Sequence, residues 1–474
     1  MIADARPVKR PRLLRASRTM AVMVAGAVAA AGGPAPAQEG QPRGLPLIRD
    51  TEIEQLLRDY TRPVLHAAGL AQQNIHVVII NDRSFNAFVM DAKRIFVNAG
   101  ALMESQTPNQ IIGVFAHETG HISGGHLSKL RSELANAQTA AILAMLLGVG
   151  AMVAASRSGA AGPGGNPGVA VLGTQGVIMR SLLAYQRQQE EQADRAGVKF
   201  LNATGQSARG MYETFKRFAD QSLFATRYTD PYVQSHPMPS ERIAALAEVA
   251  RSSPYWDKKD APELQARHDM MRAKLYGFLE PPDTVFRRYP PSDTSLPARY
   301  ARTIAAYRHG DIRNTATQID GLIQSQPNNP YFYELKGQAL LEAGKPREAI
   351  APLRHALAML PNATLIQVML GQALIASDEP KLAEEAINHL RSAVTRDPDI
   401  SDGYSYLAMA FGRKGDLAQA DLASAQAAFT RGDFKTARQL AMRAKGRFSV
   451  GSPGWVKADD IASFKPPERR FGRN

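Results

Sequence analysis

The sequence contains no cysteine among its 474 residues. The chain can therefore form no disulfide, it offers no thiolate to a metal ion, and it has no thiol for lipid attachment. If this chain binds a transition metal, the ligands must be histidine and carboxylate side chains.

The sequence also lacks, near its start, an apolar run long enough to span a hydrocarbon core of ~30 Å. The run from Met20 to Ala31 is short, it follows a basic segment that starts at Arg6, and it precedes Ala35-Pro36-Ala37. This order of basic, apolar and small-residue segments is typical of a secretory signal peptide. We predict that residues 1–37 are removed by cleavage near Ala37 and that the mature chain is exported.

Between its two ends, the chain lacks a clear excess of charge of either sign. The formal net charge is +13, of which residues 1–37 carry +5 and residues 431–474 carry +7. A basic end is more often solvated than bound to nucleic acid, so we predict no nucleic-acid partner. An anionic membrane surface or an acidic protein patch would attract this end, and peripheral membrane contact stays an open alternative.

What the sequence does contain is His117-Glu118-Thr119-Gly120-His121, at the end of an apolar segment that begins at Ile111. On an α-helix, His117 and His121 project from one face a turn apart, so their imidazoles can bind one zinc ion. Glu118 lies about 100° around the helix and can act on water. Two ordinary core histidines are the alternative. Burying two imidazoles and a carboxylate in an apolar helix is costly without a metal, which favours the zinc site.

His126 and Glu190 are the two candidates for a third metal ligand. His126 comes close to the metzincin pattern H-E-x-x-H-x-x-G-x-x-H, but that pattern needs histidine at position 127, which is Leu127. We therefore predict that His126 is a structural histidine at the end of the helix. Glu190 and Asp194 lie four residues apart in a polar segment, so Glu190 can bind the metal while Asp194 accepts a hydrogen bond from a ligand histidine. A solvated acidic helix face is the alternative.

Together, the motif at His117–His121 and the segment from Arg187 to Asp194 resemble the HtpX and CAAX-prenyl-protease-like family of zinc metallopeptidases. Three further segments resemble elements of that family and follow its order between residues 47 and 250, namely Asn86-Ala87-Phe88, Ile95-Phe96-Val97 and His236-Pro237-Met238-Pro239-Ser240-Glu241-Arg242-Ile243. The resemblance implies a metallopeptidase that holds one Zn²⁺ per chain.

The resemblance also implies roles for the residues that match. These are zinc ligation by His117, His121 and Glu190, support of the ligands by Asp194, and proton transfer by Glu118. His236 and Arg242 are candidates for stabilising the oxyanion. The resemblance equally allows His236 to bind zinc and hold the peptidase inactive, so two roles stay open for it.

An apolar run from Thr139 to Ser156 separates the two metal motifs, and a glycine-rich loop from Gly159 to Gly165 follows it. Some members of the resembled family have transmembrane helices in this region. Here the run has about 17 residues and is interrupted by Gly148 and Gly150, which places it at the lower limit for spanning a membrane. We predict a helical hairpin or a cover over the active site, with membrane contact as the alternative.

The segment before the motif predicts one helix and three short strands. Thr51 and Glu54 form a capping-box pair that would open the helix. Apolar patterns bounded by turn residues predict strands over residues 75–80, 85–89 and 94–98. An edge of this small sheet could bind an extended peptide substrate by strand addition.

The sequence from Pro297 onward repeats with a period of 34 residues. The alignment matches small and turn residues, namely Gly310 with Gly344, Gly337 with Gly371, Ala349 with Ala383 and Pro327 with Pro361. This is the tetratricopeptide pattern of stacked antiparallel helix pairs, whose concave face usually binds peptides or proteins. An alanine-rich helical bundle is the alternative.

The predicted fold is mainly α (α+β), with a zincin-like metallopeptidase domain that contains a small sheet, followed by an α-helical tetratricopeptide solenoid. The predicted divisions are a signal peptide (1–37), a zinc metallopeptidase domain (38–255), a connecting segment (256–296), a tetratricopeptide domain (297–450) and a basic C-terminal tail (451–474).

These features predict an exported zinc-dependent endopeptidase that acts on unfolded or misassembled proteins. The combination of an exported peptidase domain with tetratricopeptide repeats resembles envelope proteases of outer-membrane protein assembly. This resemblance implies a periplasmic location, degradation of misfolded or stalled envelope proteins, and the outer-membrane assembly machinery as a partner of the repeats. The alternative is a tetratricopeptide chaperone or scaffold with a latent or structural zinc site. Closure of the site by four ligands would favour that alternative, because a catalytic site keeps a position for water.

Overall fold

The computed structural model describes residues 46–130, 132, 167–224, 232–233, 236–310 and 312–466. The predicted signal peptide, the apolar run from Thr139 to Ser156 and the glycine-rich loop that follows it lie outside these residues. Within the described part of the chain, no helix combines the length and the apolar character needed to cross a membrane.

A four-stranded sheet precedes the motif helix. Its strands are β1 (Leu47–Ile48), β2 (His76–Ile80), β3 (Ala87–Asp91) and β4 (Arg94–Asn98), in the order β1-β2-β4-β3. β2 runs parallel to β4 and β3 runs antiparallel to it, so β3 is the last strand of the sheet among the described residues. The three predicted strands are present. β3 begins two residues later than predicted, and Phe85 packs in the core just ahead of it.

Helix α1 (Thr51–Ala67) begins where predicted, but its cap differs. Asp50 is the N-cap, and its side chain accepts a hydrogen bond from the Ile53 N–H at 2.9 Å. Glu54 Oε1 accepts from the Asp50 N–H at 3.3 Å, so the reciprocal pair involves Asp50 rather than Thr51. The Thr51 hydroxyl donates instead to Glu334, 283 positions along the chain.

The sheet and α1 pack against five further helices, which are α2 (Ala99–Glu104), α3 (Pro108–Ser123), α4 (Pro167–Ala203), α5 (Arg209–Phe224) and α6 (Ser240–Arg251). We call residues 46–251 the α/β region. Its apolar side chains form one core that includes Leu56, Val97, Phe115 and Leu201. Helix α3 is apolar on most of its circumference and is buried from Ile111 to His121. The H-E-x-x-H motif therefore lies inside the core.

Residues 256–296, predicted as a connecting segment, contain two helices, α7 (Pro262–Leu279) and α8 (Pro282–Arg288). Helix α7 places Met271 and Leu275 in the core of the α/β region. Met270 and Ala273 of the same helix pack in the first core of the repeats. The charge and proline content suggested a linker, but α7 is a structural element shared by both cores.

A buried ion cluster joins α7 to the start of α1. Lys274 Nζ lies 2.7 Å from Asp50 Oδ2 and 3.3 Å from Glu52 Oε2. The Tyr300 hydroxyl donates to Glu52 Oε2 at 3.0 Å. Removing one partner from such a cluster leaves an uncompensated buried charge, so these contacts fix how the helices meet.

The helices that follow form the repeat region, residues 296–463, and confirm the predicted solenoid class. They are α9 (Leu296–Arg308), α10 (Ile312–Ser325), α11 (Pro330–Glu342), α12 (Pro346–Met359), α13 (Thr364–Ala376), α14 (Ala383–Arg396), α15 (Ser401–Arg413), α16 (Leu417–Thr430), α17 (Phe434–Lys445) and α18 (Pro453–Ser463). A Cβ on Gly337 would lie 2.4 Å from Leu353, and one on Gly371 would lie 2.5 Å from Leu390. Gly337 and Gly371 therefore mark close contacts between paired helices, whereas the matched Gly310 and Gly344 lie in turns with positive φ. Because α18 lies within residues 451–474, that segment is not simply a tail.

Candidate metal centre

Small residues allow the two helices that carry the metal motifs to approach closely. A Cβ on Gly120 of α3 would lie 2.7 Å from the Ala193 carbonyl oxygen of α4. A Cβ on Gly197 would lie 3.2 Å from the backbone of Ala116 and His117. The glycine inside the motif therefore has a packing role, because it lets α4 bring its carboxylates to the histidines.

Four buried side chains converge at this helix contact, and they are His117, His121, Glu190 and His236. One potential ligand atom from each lies within 4.8 Å of all the others. The Nε2 atoms of His117 and His121 are 3.0 Å apart, and His117 Nε2 lies 3.3 Å from His236 Nδ1. Glu190 Oε2 lies 3.4 Å from His117 Nε2 and 3.0 Å from His236 Nδ1.

The donor set fits zinc. Tetrahedral zinc with Zn–N bonds of about 2.0–2.1 Å separates neighbouring ligand atoms by roughly 3.3 Å, close to the spacings seen here. Three imidazoles and a carboxylate are ligands that zinc accepts, and the chain has no thiolate to offer in their place. Nitrogen lone pairs facing one another at these distances inside a core are unfavourable unless a proton or a cation lies between them.

Asp194 lies beside the first histidine of the motif. Its Oδ1 is 2.9 Å from His117 Nδ1, while Nε2 of the same ring faces the cluster. Arg242 then binds Asp194 with two parallel hydrogen bonds, Nε to Oδ2 at 2.7 Å and Nη2 to Oδ1 at 2.9 Å. Its Nη1 lies 2.9 Å from Glu190 Oε2 and donates to the Pro237 carbonyl at 2.9 Å.

The electrostatics favour ionised carboxylates around the cluster. Burial opposes ionisation of Glu190, but His236, His117 and Arg242 outweigh it and hold the Glu190 pKa well below its usual range. Burial likewise opposes ionisation of Asp194, and the charge and hydrogen bonds of Arg242 lower the pKa of that carboxyl. For His117, burial would lower the pKa, yet hydrogen bonds to Asp194 and Glu190 raise it to about 9. The site therefore attracts positive charge.

Glu118 differs from the other carboxylates. It is fully buried, and neither carboxylate oxygen has a hydrogen-bond partner within the described residues. Burial raises its pKa, and the neighbouring imidazoles of His236 and His117 counteract only part of this effect. Its Oε1 lies 3.6 Å from His236 Nε2. A carboxyl group with a raised pKa next to a candidate metal site is suited to exchanging protons.

The structure thus brings together every residue that the sequence proposed for the site. Arg242 contacts two carboxylates and a backbone carbonyl, an arrangement that favours a role in positioning Asp194 and Glu190 over the predicted oxyanion role. His126 lies three residues beyond the end of α3, and its Nδ1 is 3.0 Å from His121 Nδ1. That contact was not predicted, because five-residue spacing does not bring two side chains together on a regular helix.

A cavity of about 350 Å³ opens beside the cluster. Glu190 forms part of its wall, together with Gln186, Arg187, Val233 and the segment from Pro237 to Pro239. The cavity therefore leaves open space next to Glu190, one of the candidate ligands.

Comparisons with known proteins agree with this geometry. Residues 49–250 match Peptidase family M48, and residues 300–364 and 340–407 match two tetratricopeptide repeat families. The chain is 23% identical over 412 residues to the beta-barrel assembly-enhancing protease of Yersinia pestis, an alignment that covers 86% of this chain and 82% of that protein. It is 23% identical over 436 residues to the protein of the same name from Escherichia coli strain K12, covering 90% and 86% of the two chains.

A solved structure of MamA overlaps with 34% of this chain and 90% of its own, at 19% identity and a TM-score of 0.28. The family matches and the long alignments lead to one conclusion. Residues 49–250 form a domain of Peptidase family M48, tetratricopeptide repeats follow it, and the chain is a metallopeptidase.

Proposed function

We propose that this chain is a zinc-dependent endopeptidase with one zinc site per chain, held by His117, His121 and Glu190. The observation that carries the proposal is the convergence of these buried ligands beside a fully buried Glu118, whose carboxylate oxygens accept no hydrogen bond from the described residues. A purely structural zinc site needs no such carboxylate. A peptidase needs it as a proton acceptor.

Zinc, when bound, would polarise a peptide carbonyl and acidify water at the site. Side chains of this protein transfer the proton and orient the ligands. Glu118 accepts the proton of the attacking water and returns it to the leaving amine, for which its raised pKa is suited. Asp194 holds the His117 ring in the orientation that turns Nε2 toward the cluster, and Arg242 holds Asp194.

Edge strand β3 supports a substrate in extended conformation. Within the described residues it pairs with β4 and packs against α3, the helix that carries the motif. A peptide that joined this sheet would lie beside α3, with its main chain held by strand hydrogen bonds. Because these hydrogen bonds involve the main chain, such binding depends little on the substrate's amino-acid sequence. It does require the substrate to be unfolded.

His236 supports a resting state in which the enzyme is latent. Its Nδ1 lies among the ligand atoms, so the four-residue set leaves no position for water while His236 is in place. We assign His236 as a removable fourth ligand. The same observation favours the second candidate function, a tetratricopeptide chaperone or scaffold whose zinc site stays silent.

For the biological role we propose a periplasmic enzyme that degrades misfolded or stalled envelope proteins. Support comes from the sequence of residues 1–37 and from the name of the relatives, which refers to β-barrel assembly. Its partners would be unfolded protein substrates and, through the repeats, the outer-membrane assembly machinery. Stacked helix pairs offer the extended surface that such a partner needs.

Zinc content and casein hydrolysis test the proposal. We expect about one zinc per chain and cleavage of unfolded casein by the wild type or, if His236 suppresses it, by His236→Ala. If both proteins carry zinc and both leave casein intact, the chaperone alternative stands.

A further inference from the structure

His126 and His121 form a hydrogen-bonded pair at the C-terminal end of the motif helix. Their Nδ1 atoms are 3.0 Å apart, and their rings meet edge to face with centroids 5.0 Å apart and planes inclined by 83°. Both side chains are buried, His126 at 3% and His121 at 8% exposure. A hydrogen bond between two buried ring nitrogens contains one proton, so one nitrogen must be the donor and the other the acceptor. Which of the two histidines is the donor decides what the contact does for the site.

The direction follows from the other ring nitrogen of His121. His121 Nε2 lies 3.0 Å from His117 Nε2 and 3.4 Å from Glu190 Oε1, so it faces the cluster. A neutral imidazole that offers Nε2 to a metal carries its proton on Nδ1. His121 Nδ1–H is then the donor and His126 Nδ1 is the acceptor. The arrangement resembles that of His117, whose Nδ1 lies 2.9 Å from Asp194 Oδ1.

The backbone between the two rings is built to allow this contact. On a continuous helix, residues five apart lie about 140° apart around the axis and do not meet. Helix α3 ends at Ser123, and Gly125 adopts the left-handed conformation with φ of +63°, which turns the chain back. A Cβ on Gly124 would lie 2.3 Å from His126 Nε2, so only glycine leaves room for the ring. The His126 carbonyl also accepts from Gln189 Nε2 of α4 at 3.4 Å.

We infer that His126 is a positioning residue of the metal site: by accepting the Nδ1 proton of His121, it fixes the tautomer and ring orientation with which His121 binds the metal. The two motif histidines thus have different supports, an ionised carboxylate for His117 and a neutral imidazole for His121. This inference rests on the proposed metal site. It assigns a role at that site to His126, a residue that touches neither metal nor substrate.

Two substitutions separate hydrogen bonding from packing. His126→Phe fills the space without an acceptor, whereas Asn in His126→Asn can place its Oδ1 near the position of Nδ1. We expect zinc affinity, measured by chelator competition on the full chain, to fall by ~10 to 100-fold in His126→Phe. His126→Asn should stay within about threefold of the wild type. Equal weakening in both variants, or none in His126→Phe, overturns the inference.

A second readout does not need the metal. In metal-free protein labelled with ¹⁵N-histidine, long-range ¹H–¹⁵N spectra report which ring nitrogen of His121 carries the proton. We expect the Nδ1–H tautomer in the wild type and in His126→Asn, and mixed tautomers in His126→Phe. An unchanged tautomer in His126→Phe overturns the inference. A wild type that binds no zinc would reject the proposed function, and the spectra would still decide the role of His126.

Gly124→Ala gives an independent test, since its methyl group would displace the His126 ring without changing either imidazole. Zinc affinity should fall as in His126→Phe. Gly412→Ala is the matched control, because a Cβ there meets no atom within 4 Å. If Gly124→Ala binds zinc as tightly as Gly412→Ala, the position of the His126 ring does not matter and the inference fails.

Discussion

Gly120 and Ala193 mark a close approach of the two helices that carry His117, His121 and Glu190, since a Cβ on Gly120 would lie only 2.7 Å from the Ala193 carbonyl oxygen. Real side-chain and backbone atoms do not approach that closely, so any larger residue must push α4 away from α3. Glu190 and Asp194 are carried on α4 and reach His117 across this contact. The position between the two motif histidines thus controls the geometry of the site.

Gly120→Ala should therefore weaken zinc binding and destabilise the fold by about 1–3 kcal/mol, the usual cost of overpacking a tight contact. Chelator competition and urea unfolding measure the two effects. Gly412→Ala is the control, and it should be neutral or slightly stabilising because it adds a methyl group in open space on a helix. Similar behaviour of the two variants would show that the helix contact is more tolerant than its distances suggest.

Glu118→Gln should keep the metal and lose peptidase activity by ~100-fold or more, because Gln can neither accept the proton nor return it. The comparison is zinc content and turnover of one unstructured peptide in the wild type and in this variant. His117→Ala provides the contrast, since it should lose metal and activity together. Full proteolysis by a zinc-loaded Glu118→Gln protein would reject the mechanism.

Much of the site could be read from the sequence because its signals are local. The spacing of His117 and His121 and that of Glu190 and Asp194 are helical periods, and the helices do exist there. The partner of each residue was harder to predict. No residue near Thr51 in the sequence indicates its hydrogen bond to Glu334. His126 reaches His121 through a left-handed turn at Gly125, which the spacing of the two histidines does not indicate.

The repeat region was predictable for a similar reason, since its matched glycines recur at fixed spacing. The packing of the segment before it was not predictable, because α7 has apolar residues on two faces and hence shows no single apolar stripe. Residues 256–296 therefore connect the two regions through a packed helix and not through a free linker. The predicted binding of partners by the repeats stays a prediction.

The shared helix sets where the chain can be shortened. A chain that ends at residue 260 removes Met271 and Leu275 from the core of the α/β region, whereas one that ends at residue 293 keeps them. Losing two buried apolar side chains costs several kcal/mol, so the shorter chain should unfold at lower urea or aggregate. The longer chain should retain activity on an unfolded peptide and lose association with envelope partners. Equal stability of the two, or the same partners recovered without the repeats, would contradict this expectation.

His268 should make stability depend on pH. It is fully buried, with Nδ1 2.9 Å from the Tyr60 hydroxyl and Nε2 2.8 Å from the Ser105 carbonyl. Burial lowers its pKa from 6.5 to about 4. Because the folded pKa lies below the unfolded one, the unfolded chain takes up a proton first as pH falls. The contribution of His268 to the free energy of unfolding is therefore complete above pH ~6.5, and it is lost progressively as the pH falls toward ~4.

Urea unfolding at pH 7 and pH 5 measures this effect. Between these values the wild type should lose about 2 kcal/mol more than His268→Gln, in which the amide can still donate to Ser105 but does not titrate in this range. His66→Gln, at an exposed position of α1, is the control and should behave as the wild type. An identical pH dependence in the wild type and in His268→Gln would show that His268 does not take part.

His236 gives the most direct test of latency, because its two possible roles predict opposite signs. Its Nδ1 lies 3.0 Å from Glu190 Oε2 and 3.3 Å from His117 Nε2, which places the ring where water would have to bind. If the closed state holds more than about nine-tenths of the molecules at rest, removing the ring should raise turnover by ~10-fold. If His236 instead stabilises the oxyanion, its loss should lower kcat by ~100-fold or more. We expect the rise in turnover.

The measurement is hydrolysis of one unstructured peptide by the wild type and by His236→Ala at equal zinc occupancy, with His389→Ala of the repeat region as the control. A clear fall in His236→Ala alone would reject the latent state and mark His236 as a catalytic residue.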